Sequence, residues 1–389
     1  MPPALTVLLT NFELAIRGGS QLYLRDVALE LLRRGHRPFV YSPRLGSVAH
    51  ELIAATVPVV DDLSRVTVKP DVIHGHHNHE TLTALLRFPG VPAVRLCHGW
   101  WDEPPQPFPR ILRYVAVDDT TRDRCVTDWG IPEERLEVLL NFVDLRRFSV
   151  RSALPPRPAR ALVFSNTARG HLGAVRDACA AAGIAVEAAG HDIGRATADP
   201  ARLLRQYDLV FAKARAAIEA LASGSAVVLC DAAGVGPMVS TANVRHLRRL
   251  NFGLRTLQAP IARDVIAREV ARYDPRDARE VTAYIRAAAD ADAAIDRLVE
   301  IYREVIAEHA AAGVEGGDDL RAASLYLERV GARLRWPETP RGAFYLALRS
   351  MQLQLGRLPG VSVLGRCAWA KRVARFARAR WRRGVSGRR

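Results

Sequence analysis

Short apolar runs alternate with helical patterns through the first part of the chain. Residues 5–9 and 38–41 read as strands, and between them residues 22–34 carry apolar positions at helical spacing and stop at Gly35. The alternation continues with strands at 72–74, 93–97 and 114–117 and helices at 80–87 and 120–129. Strands joined through helices imply a parallel sheet with helices on its faces. Proline and arginine crowd together at 151–160, which reads as a linker. A second series follows, with strands at 161–165, 184–188, 209–211 and 226–229 and helices at 172–182, 201–207 and 216–223. Beyond about Ala262 strand signals cease, and 264–273, 277–309 and 320–335 read as long amphipathic helices. The expectation is an α/β chain with two Rossmann-like domains at 1–155 and 156–262. A helical segment at 263–335 and a basic C-terminal extension at 336–389 follow.

The length of 389 residues agrees with more than one core. No run approaches the eighteen or so apolar residues of a membrane span, and the N-terminus lacks signal-peptide features, so a cytoplasmic protein is expected. Five scattered cysteines, without Cys-x-x-Cys spacing, read as reduced thiols. The net charge of +15 points to anionic partners. Much of it lies between Arg366 and Arg389, where arginine and lysine are interleaved with Trp369, Phe376 and Trp381 and no acid occurs. That stretch reads as a solvated helix face or as a peripheral anchor on an anionic membrane surface. A nucleic-acid arm ranks third, because no recognised nucleic-acid module accompanies it.

Candidate chemistry gathers at strand ends. Gly18 and Gly19 lie between the first strand and the first helix, where they permit close ligand approach and aim helix amides at an anion, or form a plain turn. His74, His76, His77 and His79 crowd one short segment; this reads as a loop lining a cleft rather than a metal site, since zinc ligands come from a wider frame. His98 follows a strand directly and precedes Gly99, Trp100 and Trp101. A histidine there positions or polarises a hydroxyl or phosphate, and indoles stack on sugar rings, while the bland alternative is a histidine satisfied by backbone. Asp118 and Asp119 precede a helix and fit capping, and Asp290 and Asp292 fall within a helix, so no metal is expected. Glu219, in Glu-Ala-Leu-Ala-Ser-Gly, is one turn into a helix that follows an apolar strand. It either complements the helix dipole or meets a ligand at the strand end.

Read together, these segments resemble the family-4-type glycosyltransferases of the GT-B fold. The run from Trp129 through Asn141, Val143 and Asp144 to Phe148 is similar to the end of that family's first domain, with Phe142 in place of a glycine and Arg135 in place of a lysine. Gly18-Gly19, the Asp71-Val72-Ile73-His74-Gly75-His76 segment, His98 and Glu219-Ala-Leu-Ala-Ser-Gly224 supply its other landmarks in order. The resemblance implies transfer of a sugar from a nucleotide-sugar donor, with retention, without metal or other cofactor, in a cleft between two domains. It implies that Glu219 meets the donor ribose, that Gly18 and Gly19 approach the diphosphate and that His98 contacts the transferred sugar. The cations available to the diphosphate are Arg169, Lys213 and Arg215, and Trp100 and Trp101 stand on the acceptor side. The acceptor class stays open among glycan, lipid-linked and small molecules. The sequence departs from the family at Phe211, where a second, sugar-gripping glutamate usually stands eight residues before Glu219. A non-catalytic homologue that binds nucleotide or glycan, and a sugar-nucleotide epimerase of the same fold, are the alternatives.

Overall fold

In a computed structural model of the chain, which describes residues 3–99, 103–312 and 316–335, both series become parallel sheets. Residues 1–323 form one compact unit that contains both sheets, and the second unit begins at Ser324.

The first series runs β1 (Thr6–Thr10), α1 (Gly19–Arg33), β2 (Arg37–Tyr41), α2 (Ser47–Ala54), β3 (Val59–Val60), β4 (Val72–Gly75), α3 (Asn78–Arg87), β5 (Ala93–Cys97), β6 (Ile111–Ala116), α4 (Asp119–Thr127) and β7 (Leu136–Val138). Among the described residues its seven strands are ordered β3-β2-β1-β4-β5-β6-β7, and every pairing is parallel. The central strands are apolar along their length because both faces are covered, so a run such as Val7, Leu8 and Leu9 is buried throughout. On α1, Tyr23, Leu24, Val27, Ala28 and Leu31 form the face turned to the core, and Gly35 at φ +80 lets the chain leave the helix.

The second series runs β8 (Arg160–Phe164), α5 (Leu172–Ala181), β9 (Ala185–Ala189), α6 (Pro200–Leu204), β10 (Leu209–Ala212), α7 (Ala214–Ala222), β11 (Ala226–Asp231), β12 (Gly234–Met238) and α8 (Val244–Arg249). Its strands are ordered β12-β11-β10-β8-β9, all parallel except the edge strand β12, which returns antiparallel on β11. The sequence pattern did not indicate β12, because GVGPM has the glycine and proline content of a turn.

The helical part follows as α9 (Arg263–Val270), α10 (Pro275–Ala288), α11 (Ala291–Ala312) and α12 (Gly316–Arg335). One helix was expected over 277–309, and the structure corrects this: α10 ends at Ala288 and α11 begins at Ala291. At the break, Val143 N–H donates to the Ala289 carbonyl at 2.8 Å and Val143 pairs with Asp290. The reason is packing. Val281, Ile285 and Ala289 belong to the second sheet's core, whereas Ile295, Leu298, Ile301, Tyr302 and Val305 belong to the first, and one straight helix cannot serve both. The alanine-rich sequence at the break favours helix and contains no breaker, so the change of partner leaves no local signal. No helix among the described residues is long and apolar enough to cross a membrane.

Candidate functional site

In parallel sheets of this kind the strand order reverses at one place, and loops leaving the carboxyl ends of the two strands there diverge to form a crevice. The first sheet reverses between β1 and β4 and the second between β8 and β10. Loops from both meet at one cavity. It is lined by Arg17, Gly18 and Gly19 after β1, Ser165 and Asn166 after β8, and Arg215 and Glu219 on α7 after β10, with Gly190, Thr197 and Pro200 after β9. The enclosed part measures about 150 Å³, and about 690 Å³ when the open mouth is counted.

The two glycines act differently. Gly18 is the N-cap of α1, in extended backbone with no side chain capping the helix, so unpaired amides of the first turn remain at the cavity wall. A β-carbon at Gly19 would meet nothing within 4 Å, which leaves open space for a ligand to approach the backbone. Gly190 serves the fold: a β-carbon there would lie 1.8 Å from the Ser165 carbonyl oxygen, so only glycine lets β9 leave so close to the loop after β8.

An alternating chain of charges crosses the cleft. Arg17 pairs with Glu51, which also accepts from Arg25 at 2.9 Å; Arg25 pairs with Asp26 at 2.6 Å. Asp26 on α1 then pairs with Arg215 on α7, whose Nε donates to Glu219 Oε1 at 2.8 Å. Glu219 is 5% exposed. Burial alone would raise the Asp26 carboxyl, but Arg215 and Arg25 outweigh it and hold it below the usual range. Burial would lower Arg215, yet Asp26 and Glu219 outweigh it and raise its pKa further. Glu219 therefore keeps one carboxylate oxygen engaged with a cation that the opposite domain also holds.

A second cluster lies beside the cavity, at the ends of β8, β10 and β11. Asp231, almost fully buried, accepts from Ser165 Oγ at 3.0 Å and Thr167 Oγ1 at 2.9 Å, and Lys213 Nζ stands 3.4 Å from it. Lys213 is the N-cap of α7. The next residue, Ala214, has φ +49, a strained conformation for a side chain, and its N–H bonds the Phe252 carbonyl at 2.8 Å. His171 is buried nearby, with neither ring nitrogen hydrogen-bonded. Burial lowers its pKa, against the pull of Asp231 and Asp192.

The third group is aromatic and polar together, at the ends of β4 and β5. His74 Nδ1 lies 2.6 Å from the Tyr302 hydroxyl, and His76 Nδ1 lies 2.5 Å from His98 Nε2, with these two rings stacked 4.7 Å apart. Tyr23 of α1 lies 5.7 Å from His98, ring centre to ring centre. Burial, with Arg95 adding to it, lowers His74 to about 3, and burial holds His76 and His98 well below the normal histidine range. Burial thus favours the neutral form of all three rings. The segment was expected to line a cleft as a loop; instead His74 belongs to β4, and His74 and His76 are completely buried. The apolar run of β4 continues through them, since neutral rings pack on Tyr23 and Tyr302 as hydrophobic groups do. Among the described residues no three His, Cys, Asp or Glu side chains stand where they could hold a metal ion.

Of the residues singled out in the sequence, the cavity wall contains Gly18, Gly19, Arg215 and Glu219. Lys213 stands beside it, paired with Asp231. Arg169 does not line it: its Nη2 donates to the Asp192 carbonyl at 2.6 Å and its N–H to the Asp192 carboxylate at 2.8 Å. His98 sits in the first domain's aromatic group and is not part of the wall. Trp100 and Trp101 lie outside the described residues. Asp118 caps α4, accepting from Thr121 N–H at 2.6 Å. Phe211 is completely buried in the second sheet, between Val163 and Val228 on the neighbouring strands, so its side chain contributes to the core. Arg17, Asp26, Glu51 and Asp231 were not anticipated. Asp26 had one usable signal: it is seven residues after Gly19, two turns along the same helix face.

Residues 17–147, about a third of the chain, match the family model Glycosyltransferase Family 4. Several solved structures share the fold. A glycosyltransferase from Rickettsia africae is 14% identical with a TM-score of 0.59, over 78% of this chain and 99% of that one. HepE of Anabaena, in complex with UDP-glucose, is 15% identical with a TM-score of 0.54, over 77% and 100%. AviGT4, a glycosyltransferase involved in avilamycin A biosynthesis, is 18% identical with a TM-score of 0.50, over 78% and 98%. No curated protein matches the chain by sequence. At these identities the neighbours establish the architecture, and the family match covers the part of the chain that carries Gly18 and Gly19. Two facing Rossmann-like sheets with a shared cavity at their switch points, as in these neighbours, give the chain the GT-B fold, and its residues 17–147 are similar to Glycosyltransferase Family 4.

Proposed function

We propose that the chain transfers a glycosyl group from a nucleotide-sugar donor to an acceptor hydroxyl, with retention and without a metal ion, and that the donor lies in the cleft cavity. The observation that carries this reading is the convergence of Gly18, Gly19, Arg215 and Glu219 on one cavity at both switch points. The complex of HepE with UDP-glucose, on the same architecture, agrees with it.

In this reading Glu219 accepts hydrogen bonds from the donor ribose, and the N-terminus of α1 faces the diphosphate. The enclosed 150 Å³ is less than a whole ligand requires, so the remainder of the donor occupies the open mouth. As the bond from the anomeric carbon to the diphosphate oxygen breaks, the leaving group takes the electron pair. Arg17, Arg215 and Lys213 are the cations placed to stabilise that charge. The acceptor hydroxyl bonds to the same face of the anomeric carbon and its proton goes to the departing phosphate oxygen, which gives retention. Trp100 and Trp101 are assigned to the acceptor, and the basic stretch from Arg366 to an anionic membrane surface, on their sequence character alone.

A thermal-shift screen with UDP-, GDP- and other nucleotide sugars tests the proposal, since a ligand that binds only the folded state raises the melting temperature by mass action. At least one nucleotide sugar is expected to stabilise the protein. Absence of a shift with every donor would reject the donor site and leave the binding-module alternative.

A further inference from the structure

Arg248 on α8 is 3% exposed, and no carboxylate among the described residues pairs with it. Its Nη2 donates to the Asn141 carbonyl at 2.5 Å, while Nε and Nη1 are buried without a hydrogen-bond partner among the described residues. Burial lowers the guanidinium to about 10, so it stays charged at neutral pH. A buried cation with one hydrogen bond and no counter-charge costs stability, and an apolar side chain of similar volume would serve the core better. The place is specific. Phe142 belongs to the first sheet's core and Val143 to the second's, so the chain crosses between the cores just after the carbonyl that Arg248 holds. The return crossing, at the break between α10 and α11, is hydrogen-bonded to the same Val143.

The turn after α8 carries strain. Asn251 and Phe252 take φ +54 and +50, and a phenylalanine, unlike an asparagine, rarely adopts that region. Burial of the ring offsets the strain: Phe252 is completely buried in the second core, which also contains Ala217 and Ile218 of α7. In this conformation its carbonyl accepts from the N–H of Ala214, itself at φ +49, at 2.8 Å. Ala214 is the first residue of α7, and Arg215 and Glu219 of the cavity wall follow it.

We infer that Arg248 and Phe252 are positioning residues for the cleft cavity. Arg248 pins α8 to the crossing between the cores, and the Phe252 carbonyl holds the start of α7 in a conformation that an alanine does not keep unaided. The direction of Arg215 and Glu219 is thereby set from the crossing. Two further pairs on the same segment, Arg249 with Asp119 and Arg255 with Asp123, both at 2.6 Å, reach α4 of the first sheet. They are more exposed, and solvated pairs contribute little, so the buried hydrogen bond of Arg248 is the stronger tie. The inference rests on the proposed function for the identity of the cavity's ligand; the hold on α7 does not.

The test is hydrogen exchange of the full-length chain, read by mass spectrometry on peptides that span the start of α7. Arg248→Met keeps the length of the side chain and removes its charge and donors. It is expected to speed exchange there by about tenfold or more and to leave α3 unchanged. Its urea midpoint should hold or rise, since a buried charge without a partner is removed; a residue that only supported the fold would lower it. Arg248→Lys can still donate to the Asn141 carbonyl and should exchange within about threefold of the wild type. Kd for the most stabilising nucleotide sugar should rise about fivefold or more in Arg248→Met. The same change made on Ala214→Gly should raise it less than about twofold, because glycine takes a positive φ without being held. Unchanged exchange at α7 in Arg248→Met, an equal acceleration in Arg248→Lys, or a lower urea midpoint in Arg248→Met, misfolding included, would overturn the inference. Failure of every nucleotide sugar to bind would reject the proposed function and leave the exchange result standing.

Discussion

At Gly19 and Gly190 the same substitution has opposite expected effects. Gly19→Ala places a methyl group in open space at the cavity wall, so the melting temperature should stay within a few degrees while affinity for a nucleotide sugar falls. Gly190→Ala would drive a β-carbon into the Ser165 carbonyl, and a forced backbone shift of this kind costs about 1–3 kcal/mol or more. Denaturant unfolding of both variants, together with calorimetric titration of Gly19→Ala, separates the ligand glycine from the structural one. Lys213 raises a different issue. Its salt bridge to Asp231, with Lys213 29% exposed, means that its charge is partly matched before any ligand arrives. Asp231→Asn should therefore release Lys213 and tighten binding of inorganic pyrophosphate, whereas Lys213→Met should weaken it. Isothermal titration with pyrophosphate measures both. These roles were partly legible in the sequence: glycines and a glutamate at strand ends signal a ligand site by type and place, but nothing local tells that Lys213 faces Asp231, because that pair forms only when β10 and β11 lie side by side.

At the scale of the element, α11 supplies the strongest test. Its Tyr302 hydroxyl meets His74 Nδ1 at 2.6 Å in the first sheet's core. Tyr302→Phe keeps the ring and leaves a buried imidazole nitrogen unpaired, at a cost of about 1–3 kcal/mol read by denaturant unfolding. The buried histidines also set a pH dependence. Burial pushes the His74 imidazole down to about 3 in the folded protein, against about 6.5 for a histidine exposed in the unfolded chain. Below 6.5 the unfolded chain binds a proton that the folded chain refuses, so stability falls as pH drops from about 6.5 towards 3. His76 and His98 are lowered in the same direction and add to this slope. His74→Gln should flatten it by up to about 1.4 kcal/mol per pH unit, measured as urea midpoints between pH 7 and 4. The strand and helix alternation was readable from residues 5–229 because doubly covered parallel strands are short, apolar and punctuated. The division of 277–309 was not, since α10 and α11 share one helical periodicity and differ only in the core they meet.

Across the whole molecule, the pair between Asp26 and Arg215 links the first sheet's helix to the second's. Removing one partner of a buried ion pair strands the other charge, so Asp26→Asn should lower stability by about 3–5 kcal/mol if the cleft stays closed, and by less if it opens to water. Small-angle scattering distinguishes the cases through the radius of gyration. The electrostatics of the cleft were invisible in composition: a net charge of +15 does not show that Arg17, Arg25 and Arg215 alternate with Glu51, Asp26 and Glu219. Beyond the described residues, deletion of 366–389 should abolish sedimentation with vesicles containing anionic lipid at low salt, if that stretch meets a membrane surface. The central claim is that this cavity holds a nucleotide sugar through Glu219. Its most direct test is calorimetric titration of the most stabilising nucleotide sugar into wild type and Glu219→Ala. Loss of hydrogen bonds to a carboxylate, about 1.5–3 kcal/mol, predicts that Kd rises tenfold or more while the variant stays folded. An unchanged Kd in a folded Glu219→Ala variant would contradict the account.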